Sequence, residues 1–166
     1  IQPMAAFEFA ATGTTDIPTE PENPINPNLP SNENNKIYYT TTDGKKMFPD
    51  KSGGATFGAI LISNIYKDGV GVMTFDDDVT TIGNGAFKDC YSLTSVNIPD
   101  SVTTFGYFAF CNCYSLTEFT GKFAEDNGRI LVVDGVVTAF APAGITEYNI
   151  PDSVTEIGEK AFYYCD

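Results

Sequence analysis

One pattern of six positions occurs three times in this chain, and it constrains the fold more than any other feature. Counted from a valine, the pattern has an apolar residue at +3, Gly at +4, Ala at +7, Phe at +8 and Cys at +11. The copies begin at Val79, Val102 and Val154, so they are spaced by 23 and 52 residues. A unit this short cannot bury its apolar side chains alone. We therefore expect the copies to stack around one continuous core.

A short strand precedes the valine of the middle copy. Val96 and Ile98 alternate with Ser95 and Asn97, which is the period of two that a strand shows when one face is buried and the other is wet. Residues 99–101, Pro-Asp-Ser, then predict a turn. We expect each strand to pair in parallel with its counterpart in the next repeat, about 4.7 to 4.9 Å away.

The second half of each unit carries the Gly, Ala, Phe and Cys positions. A second extended step from Val102 ends at Gly106, and the spacing of Ala109, Phe110 and Cys113 suits one irregular helical turn. Side chains at these positions in successive units should fill the shared core.

The motif LxxVxIPxSVTxIGxxAFxxC resembles the repeat of the BspA-like leucine-rich-repeat proteins, which are found largely on bacterial cell surfaces and in some parasitic protists. IPDSVT occurs at 98–103 and again at 150–155, and the resemblance covers roughly residues 36–166. Residues 76–78 and Phe105 depart from the pattern. The resemblance implies a mainly β fold, namely a leucine-rich-repeat solenoid with short helical turns and an N-terminal β-hairpin cap.

Composition divides the chain into three parts. Residues 1–35 hold six of the ten prolines and five acidic residues but no Lys or Arg, and five of these prolines recur at every third position from Pro18 to Pro30. That spacing is typical of a polyproline II spacer, so we interpret the segment as a largely extended or disordered linker. Residues 36–69 are predicted to form the cap. Residues 70–166 are predicted to form four repeats, at 70–92, 93–115, 116–144 and 145–166.

Three Gly-containing turns predict β-hairpins. Asp43-Gly44 separates residues 37–40 from 46–48, and Lys67-Asp68-Gly69 separates two β-rich runs that end near residue 75. These hairpins should cover the edge of the first repeat's strand. Asp134-Gly135 lies inside the run 129–140, where the third unit departs from the Ala-Phe pattern. We therefore expect a hairpin variant of the repeat there.

Charge and hydropathy exclude two classes of partner. The net charge of −13 and the absence of His argue against nucleic acid, which requires a basic surface. No apolar run approaches the roughly 18 residues that a membrane span requires. Because the chain begins with Ile1 and not with Met, we expect a processed protein whose signal peptide or lipid anchor has been removed. The expected location is extracellular or at the cell surface.

No residue pattern indicates catalysis, a cofactor or a metal site. There is no His to activate a nucleophile and no Gly-rich phosphate loop. Cys90, Cys113 and Cys165 share one repeat position and are predicted to be buried, reduced thiols. A disulfide between Cys90 and Cys113 is the alternative. Cys111 lies out of register and is the more plausible reactive thiol.

A polar strand face is the predicted partner-binding surface. In each strand the residues between the apolar positions should point away from the core and lie side by side across the repeats. The predicted set is Thr94, Ser95, Asn97, Thr117, Glu118, Thr120, Thr146, Glu147 and Asn149. The competing surface is the edge that carries Tyr91 and Tyr114, with Tyr163 and Tyr164 nearby in the last copy.

The resemblance and the regular repeat favour a non-catalytic interaction or adhesion module that is secreted or displayed on a cell. Its expected partner is a host matrix or cell-surface protein, and self-association through the C-terminal end of the repeats is a further expectation. Two alternatives stay open. The chain could be a structural stalk that presents another domain, or a carbohydrate-binding module that uses its nine tyrosines.

Overall fold

A computed structural model of the chain describes residues 33–49, 56–163 and 165. The predicted Pro-rich linker therefore lies almost entirely outside the described residues. The described part contains eleven β-strands and no helix, which confirms the prediction of a mainly β fold. The strands are β1 Lys36–Thr41, β2 Leu61–Lys67, β3 Val70–Phe75, β4 Thr81–Ile82, β5 Leu93–Asn97, β6 Thr104–Phe105, β7 Glu118–Thr120, β8 Ala124–Glu125, β9 Ile130–Val133, β10 Val136–Phe140 and β11 Glu156–Ile157.

The strands form three sheets. The largest has five strands in the order β2-β3-β1-β5-β7, a second has the order β11-β10-β9-β8, and β4 pairs with β6 in the third. Within the described residues, no helix is long and apolar enough to cross a membrane.

Strand β1 lies between the first two repeats. It pairs antiparallel with β3 on one side and with β5 on the other, so the strand of the first repeat does not pair directly with that of the second. Residues 46–48 are not a strand, and the hairpin predicted around Asp43-Gly44 is therefore wrong. Because Ile37 and Tyr39 both point into the core and are fully buried, insertion into the sheet buries β1 better than a hairpin at its edge would.

The hairpin predicted around Lys67-Asp68-Gly69 is confirmed. Strands β2 and β3 pair antiparallel on either side of Asp68 and Gly69, whose φ angles are 52° and 87°. Two successive residues with positive φ match the right-handed twist of the flanking strands, which explains why Asp-Gly is favoured here.

Two pairs of equivalent strands from neighbouring repeats lie parallel, as the repeat predicts, but β3 does not pair with β5 and residues 145–150 of the last repeat form no strand. Ser95 is in register with Glu118, and Thr81 with Thr104. Both offsets are 23 residues, which is the spacing of the sequence repeat. A third parallel pair joins β10 to β11.

The segments after Gly83, Gly106 and Gly158 form turns rather than the predicted short helical turns, which are not seen in the described residues. Two repeat positions there have a left-handed backbone. At the position six residues after the repeat valine, φ is 63° for Gly85, 59° for Phe108 and 68° for Lys160. At the position ten residues after the valine, φ is 60° for Asp89 in the first copy and 61° for Asn112 in the second. A left-handed residue at every fourth position interrupts the right-handed run that a helix needs.

The third repeat contains the predicted hairpin variant. Strands β9 and β10 pair antiparallel around Asp134 and Gly135, whose φ angles are 50° and 80°. This hairpin stands where the other repeats have their Ala-Phe-Cys turn.

The apolar residues form two clusters. The larger extends from Ile37 in the N-terminal part to Ala141 after the hairpin, and it contains the repeat positions of the first two copies. The smaller joins residues of β9 and β10 to Ala161, with Phe162 packed against it. The single continuous core expected from the repeat is therefore divided in two, and in the last copy Ile157 is exposed and Val154 only partly buried.

Candidate functional site: the strand face

The structure brings the first two rows of the predicted strand face together. The parallel pairing of β5 and β7 sets Ser95 beside Glu118 and Asn97 beside Thr120. The amide Nδ2 of Asn97 donates a hydrogen bond to Oγ1 of Thr120 at 3.2 Å. One row earlier, both the backbone N–H and the hydroxyl of Thr117 donate to the carbonyl of Thr94, each at 2.8 Å.

Three residues of this face are buried, although the sequence predicted that they point to solvent. The exposed fraction is 2% for Ser95, 5% for Asn97 and 3% for Glu118. The inserted strand β1 is one reason, because Oγ1 of Thr40 lies 2.7 Å from Oγ of Ser95. The same atom of Thr40 lies 2.6 Å from Oγ1 of Thr94. A short polar side chain between two neighbouring strands is shielded by their side chains, even on the outer face of a sheet.

The third row is not in the sheet. Residues 145–150 form no strand, and Thr146, Glu147 and Asn149 are exposed. This segment is held instead by Tyr148, whose hydroxyl donates to Oδ2 of Asp126 at 2.7 Å and whose ring lies 4.8 Å from that of Phe140. The structure therefore does not extend the continuous face to the last repeat.

Glu118 is a buried carboxyl group without a hydrogen-bond partner on Oε2 among the described residues. Burial raises its pKa, and the positive charge of Arg129 opposes that shift. The guanidinium Nη1 of Arg129 donates to the carbonyls of Ala141 and Ala143 at 3.1 and 2.9 Å. The backbone at Gly128 packs against the base of this side chain, since a Cβ at Gly128 would lie 3.0 Å from Cβ of Glu118.

The tyrosine edge is a second regular surface. The rings of Tyr91 and Tyr114 are 15° from parallel with centroids 5.9 Å apart, and their exposed fractions are 56% and 44%. Their hydroxyls donate to Oδ1 of Asp89 and Oδ1 of Asn112, respectively. Nδ2 of Asn112 also donates to Oδ1 of Asp89 at 2.6 Å. The rings of Tyr91 and Tyr114 thus lie face to face at the protein surface. Tyr164 lies outside the described residues.

The cysteines differ from the sequence prediction at two positions. Cys90 and Cys113 are buried as predicted, but Cys111 is buried too and Cys165 is partly exposed. No disulfide joins cysteines in the described part of the chain. The thiol of Cys113 donates to the carbonyl of Phe87 at 3.1 Å, and burial raises its pKa. Burial likewise raises the pKa of Cys111.

Acidic and sulfur ligands do not gather in the part of the chain that the structure describes. No group of three or more His, Cys, Asp or Glu residues there could hold a metal ion. The Asp76 carboxylate instead accepts a hydrogen bond from the backbone N–H of Ile60 at 2.8 Å.

Two pairs of short strands lie parallel at an offset of one sequence repeat, as in proteins whose repeats stack on their neighbours. A family model for the BspA type leucine rich repeat region matches residues 66–127 and 136–166 in six copies. The chain belongs to this family, as its sequence motif predicted. No curated protein and no solved structure matches the chain.

Proposed function

We propose that this chain is a non-catalytic protein-interaction module, built on a right-handed leucine-rich-repeat solenoid and secreted or displayed on a cell surface. The observation that carries the proposal is the parallel register of β5 with β7. Parallel pairing aligns equivalent side chains of successive repeats into rows, and repeat proteins use such extended surfaces for binding. Membership of the leucine-rich-repeat family supports protein binding, and the partner that we propose is a host matrix or cell-surface protein.

The strand face remains the proposed binding surface, with a division of roles among its residues. Thr117 is exposed, and Thr94 and Thr120 are partly exposed, so these hydroxyls are the groups that would contact a partner. The buried side chains are those of Ser95, Asn97 and Glu118, and they would keep this face rigid. A surface with short polar side chains and no large aromatic anchor supports weak binding that gains strength from many copies on a cell.

The tyrosine edge is the competing surface. Tyr91 and Tyr114 are exposed and aromatic, as residues that dominate tight interfaces commonly are. Their rings stack on each other and their hydroxyls are already hydrogen-bonded. Because one face of each ring is occupied by the other ring, this edge is less suited to the flat stacking that a sugar requires.

Two double variants distinguish these surfaces once a pull-down from host matrix proteins has supplied a partner. Thr117→Arg with Thr120→Arg places bulky charges on the strand face, whereas Tyr91→Ala with Tyr114→Ala removes the exposed rings. We expect the first variant to abolish binding and the second to preserve it, with both folded by circular dichroism. Loss of binding in the tyrosine variant alone would refute the strand-face assignment. If the wild-type protein binds nothing in the pull-down or on a glycan array, that result would instead favour a structural stalk.

Self-association through the last repeat is a second proposal. The position three residues after the repeat valine differs between the first and last copies. Ile82 is fully buried there in the first copy, whereas Ile157 is 45% exposed in the last. Ile150 and Tyr163 add exposed fractions of 41% and 42% nearby. Such a face in contact with a second copy would remove apolar surface from water. Light scattering should show a concentration-dependent mass that Ile157→Ser lowers, and a strict monomer at all concentrations would exclude the proposal.

A further inference from the structure

Strand β2 lies at the edge of the five-stranded sheet. It pairs with β3 on one side and, among the described residues, with no strand on the other. The two-residue turn of the β2–β3 hairpin makes Lys67 and Val70 the closing hydrogen-bonded pair, and such pairs recur at every second residue. The backbone N–H and C=O groups of Asn64 and Tyr66 therefore point away from β3, towards the free edge.

This free edge has few of the features that keep exposed strands from pairing. Lys67 is the only charged residue of β2, and the strand contains no proline. A bulge between Leu61 and Ser63 interrupts its first part, but residues 63–67 pair regularly with β3, and Ile65 there is 60% exposed. Natural edge strands are blunted by charges, prolines or bulges, or are covered by another segment. For residues 63–67, a covering segment is the device that remains.

An open groove of about 440 Å³ lies beside the free edge. It is lined by residues 44–46 on one side and by residues 64–66 of β2 on the other. The loop is attached to the strand, because Nδ2 of Asn64 donates to the carbonyl of Met47 at 2.6 Å. The groove is many times larger than the roughly 30 Å³ that one water molecule occupies in the liquid, so it can admit side chains of an added strand.

Two lysines that line the groove have no carboxylate within ion-pair distance among the residues that the structure describes. They are Lys45 and Lys46, and both are exposed. Asp43 accepts a hydrogen bond from the backbone N–H of Lys45 at 3.2 Å, not from its ammonium group. Lys67 differs from these two, since its Nζ lies 3.9 Å from Oδ2 of Asp68. An acidic side chain in the groove would therefore be attracted to Lys45 and Lys46.

The two sides of β2 require different side chains in an added strand. Asn64 and Tyr66 point to the inner side, where Oδ1 of Asn64 accepts a hydrogen bond from the Tyr39 hydroxyl at 2.6 Å and the Tyr66 ring lies 5.9 Å from the Tyr39 ring. Ile65 points to the opposite, outer side. Side chains of paired strands lie beside each other on the same face. An apolar residue thus fits beside Ile65, and an acidic residue fits beside Asn64 or Tyr66, close to the two groove lysines.

Residues 7–9 of this chain, Phe-Glu-Phe, have the same alternation of apolar and acidic side chains. They lie outside the described residues. The N-terminal residues 1–32 contain no Lys or Arg, and their acidic residues are Glu8, Asp16, Glu20 and Glu22. The charge of this segment therefore complements that of the groove.

We propose that residues 4–10 pair with the free edge of β2 as a sixth strand of the sheet. Phe7 and Phe9 lie on the outer side with Ile65, and Glu8 lies on the inner side with the groove lysines. The backbone N–H and C=O groups at the free edge then bond to the added strand, as in other cases where a segment extends a sheet. The added strand protects β2 from pairing with other chains, and this site is separate from the strand face of the proposed function.

The connecting chain is long enough for this pairing within one molecule. Residues 11–32 can span up to about 70 Å when extended, whereas β1 and the sixth strand are three strand spacings apart, about 14 Å. Even if residues 18–30 stay extended over about 40 Å, the residues on either side of them supply about 30 Å of chain for the return. Because the segment is tethered, its effective concentration is high and weak pairing is sufficient.

Amide hydrogen exchange of the ¹⁵N-labelled chain, followed by NMR, tests the proposal. We expect the amides of Asn64 and Tyr66 to exchange slowly in the wild type, because the added strand accepts their hydrogen bonds. In the double variant Phe7→Ser with Phe9→Ser they should exchange at least about tenfold faster. The amide of Ile65 faces β3 and should be unchanged, which shows that the hairpin remains folded.

Ile17→Ser with Ile25→Ser is the matched control. It also removes two apolar side chains from the N-terminal part of the chain, but outside residues 4–10, so exchange at the free edge should stay slow.

Reversal of charge tests the position of Glu8. Glu8→Lys should speed exchange of the two edge amides, and the addition of Lys45→Glu with Lys46→Glu to the same chain should slow it again. Fast exchange of both amides in the wild type would overturn the proposal. Slow exchange that the double Phe variant leaves unchanged, or that is lost on dilution, would also overturn it, because residues 50–55 or a second copy would then cover the edge. None of these results depends on whether a partner binds the strand face.

Discussion

The ring of Phe87 lies parallel to the ring of Phe110, with centroids 5.1 Å apart and planes 11° from parallel. These residues hold the same position in successive repeats, 23 residues apart. The ring of Phe110 also meets Phe119 edge to face at 4.9 Å. One side chain thus links the turn of its own repeat to the previous turn and to the strand of the following repeat.

Phe110→Ala should lower the free energy of unfolding by about 3 to 5 kcal/mol, because it removes a buried ring between two repeats. The midpoint of chemical denaturation measures the change. Tyr107→Ala is the control, since Tyr107 is 54% exposed and its loss should change stability by about 0.5 kcal/mol or less. An unshifted midpoint for the Phe110 variant would contradict its place in the core.

Gly71→Ala should destabilise the N-terminal part of the sheet by about 1 to 3 kcal/mol or more. A Cβ at Gly71 would lie 2.1 Å from the ring of Tyr39, which is fully buried and donates its hydroxyl to Oδ1 of Asn64 at 2.6 Å. Gly69→Ala is the control, because a Cβ there meets nothing within 4 Å and only the positive φ is unfavourable. If both variants unfold at the same temperature, β1 does not lie between β3 and β5 as described.

The cysteines should react with an alkylating reagent in an order set by burial. Cys113 should be labelled last, since burial raises its pKa and its thiol is hydrogen-bonded to a carbonyl, and a lower thiolate fraction slows the reaction. The partly exposed Cys165 should be labelled first. Mass spectrometry of the native protein over time gives the order, with Cys165→Ser as the control that removes the earliest adduct. Labelling of Cys113 as fast as Cys165 would refute the burial order.

Glu118→Gln should stabilise the protein near pH 7 and have little effect near pH 4. Burial raises the folded-state pKa of Glu118 above its unfolded value, so the folded chain binds the proton more tightly. Stability is therefore lost as pH rises from the unfolded pKa, about 4.3, through the folded pKa. Thermal unfolding of both proteins across this range measures the difference, and the exposed Glu147→Gln is the control. A constant difference at every pH would mean that ionisation of Glu118 is not the cause.

The sequence alone determined the repeat and the family. Val79 and Val102 mark units of 23 residues, and the structure pairs their strands in parallel at that offset. Apolar positions that recur at a fixed interval leave few ways to bury them all, so periodicity is sufficient to predict this part of the fold. Asp68-Gly69 and Asp134-Gly135 likewise predicted two hairpins, because Gly readily adopts the positive φ that a tight turn requires.

Only the tertiary structure decided what lies between the repeats and what is exposed. The place of β1 depends on how its two core residues, Ile37 and Tyr39, fit between β3 and β5, and local sequence does not encode that non-local pairing. Burial of Ser95 and Glu118 follows from the strands and loop that come to lie around them. Local periodicity determines which way a side chain points, whereas only the packing of neighbouring segments determines whether water can reach it.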